Sequence, residues 1–172
     1  MKKLGLFWGL GGIILILVFA IYRLTPATLA LKDIPLEFSH WIALLFSVIY
    51  MAYAEGYKGF FLNFSPRAAL RADYLSKNPK ILHTLLAPLF CMGFIHATRK
   101  RKLLSFGLTI IIFGFVMAVR YLPQPWRGIL DAGVVTGLTL GCFSILYFGH
   151  AVITNTGKIS VSADIPPKIN SV

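Results

Sequence analysis

Long apolar runs separated by short polar stretches dominate the chain. A helix needs about 20 mostly apolar residues, each rising about 1.5 Å, to cross roughly 30 Å of hydrocarbon. Five runs approach that length, over residues 4–22, 38–57, 81–98, 103–119 and 128–153. The pattern therefore predicts an all-α, polytopic transmembrane helix bundle that forms one domain over residues 1–153, followed by a polar C-terminal tail over residues 154–172.

Composition excludes a soluble or a disordered protein. The chain is 57% hydrophobic and 13% charged, with a mean hydropathy of +0.75, whereas soluble domains carry about 25% charged residues. Its 14 Phe and 7 Tyr would not stay solvated in a disordered chain. Cys91 and Cys142 both fall inside apolar runs, which predicts two buried thiols rather than a disulfide or a zinc site.

The first run carries two lysines before it, as a secretory signal does. Its apolar stretch is longer than the roughly 7–15 residues of a signal core, so we expect an uncleaved anchor.

The distribution of positive charge leaves two topologies open. Cytoplasmic loops of membrane proteins carry an excess of Lys and Arg. With five spans the 17 cations divide nine against eight, which gives no orientation. If residues 81–98 instead enter and leave on the same side as a re-entrant segment, the division becomes thirteen against four. Non-helical backbone at membrane depth needs shelter from protein or water, so five spans remain the first expectation and four spans plus a re-entrant segment the alternative.

A short basic helix is predicted over residues 66–77. Ser65 and Pro66 resemble a helix start, and Asn78 with Pro79 resembles a stop. Such a helix suits the headgroup plane, where each cation gains about 1 kcal/mol on anionic lipid. Ordinary positive charge beside membrane spans is the simpler explanation of the same pattern. The candidate headgroup contacts are Arg67, Arg71, Lys77, Arg99, Lys100, Arg101 and Lys102.

Glycines recur every four residues in the last run, at Gly133, Gly137 and Gly141. This spacing places a flat strip on one helix face, where a second helix can approach closely. Gly5 and Gly9 form a shorter copy in the first run. The partner helix belongs either to this chain or to a second copy.

Ionisable residues inside membrane spans are costly and mark possible functional sites. If the chain has five spans, four ionisable residues fall toward the cytoplasmic ends of those spans. They form a candidate intramembrane polar site: Glu55, His83, Arg120 and Asp131. They could bind a small polar solute or a proton. The structural alternative is interfacial pairing, since Arg127 and Asp131 are four residues apart on a helix.

The histidines raise the question of a haem or metal site, but their spacing along the sequence does not favour one. His40, His96 and His150 fall toward the outer ends of the spans, and three imidazoles are a number that metals use. His83 and His96 lie about 220° apart around a regular helix, so they do not form the stacked pair of a b-type haem protein. We expect no metal and no cofactor. Enzymatic motifs such as GxSxG, HExxH, a P-loop or a dinucleotide fingerprint are not found in the sequence.

Four stretches resemble small uncharacterised inner-membrane proteins of proteobacteria. They lie within residues 50–153 and read Tyr53-Ala54-Glu55-Gly56-Tyr57-Lys58-Gly59-Phe60, Phe64-Ser65-Pro66-Arg67, Ala87-Pro88-Leu89-Phe90-Cys91-Met92-Gly93 and His96-Ala97-Thr98-Arg99. The resemblance implies a multi-pass protein of the bacterial inner membrane and assigns no catalytic or binding residue.

These observations favour a non-enzymatic accessory or assembly component that contacts anionic lipid. Its partners would be membrane lipids and either a membrane protein or a second copy of the chain. Nothing indicates nucleic acid, because the basic residues border membrane spans and no recognition helix accompanies them. A transporter of a small solute or protons that uses the intramembrane polar residues is the alternative, and a haem or redox protein is the third hypothesis.

Overall fold

A computed structural model describes residues 4–78, 81–95, 97–154 and 161–163, and the regular elements in this part of the chain are all helical. The all-α prediction is confirmed. The helices are α1 (Leu4–Leu29), followed by a short 3-10 turn (Ala30–Asp33), α2 (Phe38–Met51), a π-helical segment (Ala52–Phe64), α3 (Ser65–Lys77), α4 (Ile81–Leu85), α5 (Ala87–Met92), α6 (Arg99–Arg120) and α7 (Trp126–Thr154).

Residues Phe38–Lys77 form one continuous helix of 40 residues. The helix predicted over residues 66–77 exists as α3, but it continues from α2 through the π-helical segment instead of standing apart. Pro66 lacks a backbone N–H and would disturb a regular helix interior. The wider turns just before it, in which the Ser65 N–H donates to the Phe60 carbonyl, bring the chain to Pro66 without a break.

Helix α7 is the centre of the bundle and packs against α1, α2, the π-helical segment and α3. Near one end of α7, Gly128 meets Leu31, which follows α1; near the other end, Gly149 meets Leu10. Helix α1 is therefore antiparallel to α7. The long helix is parallel to α7, because Ser47 meets Gly133 and Phe60 meets Gly141 farther along both helices.

The best-buried core lies toward the N-terminal half of α1. It joins side chains of α1, α3, α5 and α7, among them Ile13, Leu75, Phe90 and Ile145, each at most 1% exposed. Three long elements and the short helix α5 thus share one apolar cluster, which fixes the position of α5 in the fold.

Residues 81–98 do not form a span-length helix in the part that the structure describes. Helix α4 ends at Leu85, α5 has six residues, and Gly93 ends α5 with a φ of 89°. Proline at position 88 disfavours continuation of α4, and the left-handed backbone at Gly93 stops α5. Among the described residues, four helices are long and apolar enough to cross a membrane, namely Leu4–Asp33, Phe38–Lys77, Arg99–Arg120 and Trp126–Thr154. The predicted count of five spans is not confirmed.

Candidate functional site

One end of the bundle gathers the start of α1, helix α3, the short helices α4 and α5, and the start of α6; we call it the basic end. Gly5 of α1 lies against Leu75 of α3. The Trp8 indole Nε1 donates a hydrogen bond to the Leu85 carbonyl oxygen at 3.1 Å. These contacts attach the first turns of α1 to both α3 and α4.

Helix α5 sits directly on a glycine face of α1. A Cβ at Gly9 would lie 2.7 Å from the Cys91 Sγ, and a Cβ at Gly12 would collide with the Pro88 ring. Ala87 and Cys91 are almost fully buried by this contact. Small residues thus allow a short, interrupted helix to pack beside a spanning helix, as close helix approach in membranes requires.

The guanidinium of Arg71 holds the turn that follows α5. It is 1% exposed, its Nε donates to the Phe90 carbonyl oxygen at 2.7 Å and its Nη2 to the Ile95 carbonyl oxygen at 2.6 Å. Its Nη1 donates to the Ala163 carbonyl oxygen at 3.1 Å. The guanidinium carbon also lies 4.5 Å from the centre of the Phe90 ring, a cation–π distance.

The start of α6 reaches the same turn from another direction. A Cβ at Gly93 would lie 3.0 Å from the Arg101 Nε and 3.1 Å from the Ser105 Oγ. The Ser105 hydroxyl donates to the Met92 carbonyl oxygen at 3.0 Å. Helix α3 and the first turns of α6 therefore meet around residues 90–95, and the two basic stretches of the sequence lie at one end of the molecule.

The predicted headgroup contacts differ in exposure. Arg71 is buried and donates to backbone carbonyls, so its position does not suit a lipid headgroup. Arg67 and Arg101 are half-buried. Lys77, Arg99, Lys100 and Lys102 are exposed, although Lys77 also pairs with Asp73 at 2.6 Å.

The four residues of the predicted polar site are dispersed. The His83 ring stacks on Phe90 at the basic end, while Arg120 is exposed at the far end of α6. Asp131 is 4% exposed near the start of α7 and lies 3.8 Å from the Arg127 Nε. Glu55 lies separately, against Gly137.

The glycine strip of α7 contacts the long helix of the same chain. A Cβ at Gly133 would collide with the Ser47 hydroxyl, one at Gly137 would lie 2.8 Å from the Glu55 Oε2, and one at Gly141 would lie 2.8 Å from the Phe60 ring. The Ser47 hydroxyl also donates to the Ile129 carbonyl oxygen at 3.0 Å. The strip is occupied within the chain.

The histidines do not gather. His40 packs edge-on against Trp126, with ring centres 5.3 Å apart, and accepts a hydrogen bond from the Glu37 N–H. His150 is 24 residues beyond Trp126 on α7, or roughly 36 Å along it, and His96 lies outside the described residues. A haem held by His40 and His150 does not fit this distance. Among the described residues no group of three or more metal-ligating side chains is found.

Two features of the structure are not predicted by the sequence pattern: the burial of Arg71 and the π-helical segment. The sequence pattern groups Arg71 with Arg67 and Lys77 as cations that contact lipid headgroups, whereas Arg71 is buried. Its neighbours Ala68 and Leu75 lie within about 60° of it around an α-helix, and small or apolar flanks of this kind are the available signal for burial. The π-helical segment has no comparable signal in the sequence.

No protein-family model, curated protein or solved structure matches the chain.

Proposed function

We propose that the protein is a non-enzymatic accessory or assembly component of the bacterial inner membrane, whose basic end binds anionic lipid. The observation that supports this proposal is that Arg71 of α3 and Arg101 of α6 both contact the turn around Gly93, which follows α5. It brings the basic stretch in α3 and the basic start of α6 to the same end of the bundle.

This arrangement favours the topology with four spans and a re-entrant segment. Helix α1 leaves the basic end, the long helix returns to it, α6 leaves it and α7 returns. Residues 81–98 then enter and leave on one side, and this is the topology for which the sequence divides its cations thirteen against four. By the positive-inside rule the basic end is cytoplasmic.

Anionic lipid is the ligand that suits this end. The cytoplasmic leaflet carries negative charge, and each Lys or Arg near its surface gains about 1 kcal/mol. Three exposed cations at the start of α6 are available, at Arg99, Lys100 and Lys102. Arg71 has a different role in this proposal, because it keeps the re-entrant turn in place between α3 and α6.

The accessory role is supported by the packing of the spans. The glycine strip of α7 is filled by the chain's own long helix, so assembly with another membrane protein would use a different surface. Helix α6 offers one, since most of its apolar side chains are exposed. The dispersal of the predicted polar residues gives no composite solute site.

A lipid-dependent stability measurement tests the proposal. Purified protein in nanodiscs should be more stable in phosphatidylglycerol than in phosphatidylcholine. Replacing both Lys100 and Lys102 with glutamine should reduce this difference by about 2 kcal/mol, and added salt should reduce it as well.

The matched control replaces Lys32 and Arg120, two exposed cations of the opposite end, with glutamine. This pair should leave the lipid dependence unchanged. Cysteines placed at positions 100 and 32 orient the two ends, because an impermeant maleimide added outside intact spheroplasts should label only position 32. Equal effects of the two glutamine pairs, or outside labelling of position 100, would contradict the proposal.

A further inference from the structure

Glu55 occupies an unusual place in the membrane-spanning part of the long helix. It lies in the π-helical segment Ala52–Phe64 and faces Gly137 of α7. Gly137 is 11 residues from the start of α7 and 17 from its end, or roughly 16 Å and 26 Å along the axis. The Glu55 side chain therefore lies beside the middle third of α7, away from both ends of that apolar helix.

The local backbone makes room for this side chain. A Cβ at Gly137 would lie 2.8 Å from the Glu55 Oε2 and 3.1 Å from the Glu55 Cβ. Any larger residue at position 137 would therefore displace the Glu55 side chain. Gly56 likewise lies against Leu140. Wide π-turns inside helices occur frequently at functional sites, and this one begins three residues before the carboxyl.

Charged and titratable groups near Glu55 do not neutralise it within the described residues. On its own helix, Lys58 extends over the Tyr53 ring at 5.1 Å. On α7, Asp131 is six residues from Gly137 and is paired with Arg127. No salt bridge to Glu55 is found in the described part of the chain. The other titratable side chains on α2, the π-helical segment and α7 are His40, Tyr50, Tyr57, Cys142, Tyr147 and His150, and those on α3 begin at Arg67, 12 residues beyond Glu55.

We propose that Glu55 is a reversible proton-binding site inside the membrane, held as the neutral acid between the π-turn and the glycine face of α7. The physical reason is that an unpaired carboxylate is costly in hydrocarbon, while a protonated carboxyl is tolerated. The ligand is a proton, and the site is Glu55 alone rather than the four-residue cluster. This inference goes beyond the proposed lipid-binding role, because it concerns a different part of the molecule.

Labelling with dicyclohexylcarbodiimide tests the site directly. The reagent reacts with a protonated carboxyl in an apolar environment, whose O–H adds across one C=N bond and leaves an adduct that peptide mass spectrometry locates. In the folded full-length protein we expect one dominant adduct, on Glu55. Its rate should fall by about tenfold or more between about pH 6 and about pH 9, since the protonated fraction falls tenfold for each pH unit above the titration point.

Matched variants separate the site from general reactivity. Glu55→Gln should remove the adduct, and Asp131→Asn should leave it. Gly137→Ala should change the labelling rate by several-fold because the new methyl group displaces the carboxyl, whereas Gly141→Ala, which meets the Phe60 ring, should not.

Absence of an adduct on Glu55 of the wild-type protein, or a rate that does not depend on pH, would overturn the proposal. Protection by sodium relative to choline would also overturn it, in favour of an alkali-cation site. None of these outcomes requires a variant to fold, and none bears on the lipid dependence of the basic end.

Discussion

Helices α6 and α7 follow one another in the chain and have similar apolar composition, yet they are packed in opposite ways. In an apolar stretch of 18 residues, 50% of the residues of α7 are buried, whereas only 11% of those of α6 are buried. Helix α7 packs along α1, α2, the π-helical segment and α3, whereas α6 has only slight contact with α7 and is otherwise attached at its first turns, around Gly93. In a membrane, lipid covers apolar side chains as well as protein does. Hydropathy therefore identifies both spans and does not distinguish them.

The glycines show what does distinguish them. A Cβ at Gly133, Gly137 or Gly141 would press on a side chain of the long helix, whereas Gly107 and Gly114 of α6 have no atom within 4 Å of the corresponding position. Glycine in α7 permits close approach, and glycine in α6 meets open space. The same residue type has a packing role only where a neighbouring helix is present.

The largest effect that this comparison predicts comes from enlarging one glycine in each helix. Gly137→Leu forces a side chain against Glu55 and should destabilise the protein by about 3 kcal/mol, because the packed backbones cannot separate without loss of other contacts. Gly114→Leu should cost nothing measurable, because leucine favours helix more than glycine does. Denaturant titration of the two purified variants in detergent provides the measurement. Equal loss of stability in both would show that α6 also packs closely in solution.

The comparison also explains which parts of the fold the sequence could predict. The predicted runs 103–119 and 128–153 lie inside α6 and α7, because hydropathy alone determines where a span is. The hydropathy of residues 81–98 predicts a span, but Pro88 and the turn at Gly93 divide this segment. Which small residues face α5 is a tertiary property that no periodicity reveals.

Burial of polar residues was harder to predict than the spans. Arg71 is buried where one backbone carbonyl of α5 and one after it accept its hydrogen bonds, and those carbonyls are 19 and 24 residues away in sequence. Glu55 was identified as a candidate because it is charged within a span, a local property. Its proposed partners were misplaced because the predicted topology assigned His83, Arg120 and Asp131 to one end.

A second substitution tests the turn that ties α6 to the bundle. Gly93 has a φ of 89°, a conformation that costs an L-residue about 1–2 kcal/mol. An added methyl group would also contact Arg101 and Ser105 closely. Gly93→Ala should therefore lower stability by about 2 kcal/mol and speed maleimide labelling of the buried Cys91 in a Cys142→Ala background.

The control for that experiment is Gly107→Ala in α6, at a position with open space around it. It should raise stability by up to about 1 kcal/mol, since alanine favours a helix over glycine. Opposite signs for two glycine-to-alanine changes 14 residues apart would locate the attachment of α6 at its first turns. A loss of stability in both would mean that the middle of α6 is packed too.

The smallest predicted loss of stability comes from removing the Ser105 hydroxyl, where the first turns of α6 join the turn after α5. The Ser105 hydroxyl donates to the Met92 carbonyl oxygen outside α6, whereas the Thr109 hydroxyl, one turn later, donates to the Ser105 carbonyl oxygen of α6 itself. Ser105→Ala should cost about 1 kcal/mol, as the loss of one intramolecular hydrogen bond does, and Thr109→Val should cost less because α6 keeps its backbone hydrogen bonds. If the two variants unfold at the same denaturant concentration, the Ser105 bond does not hold α6 to the turn, and the attachment depends on Gly93 and Arg101 instead.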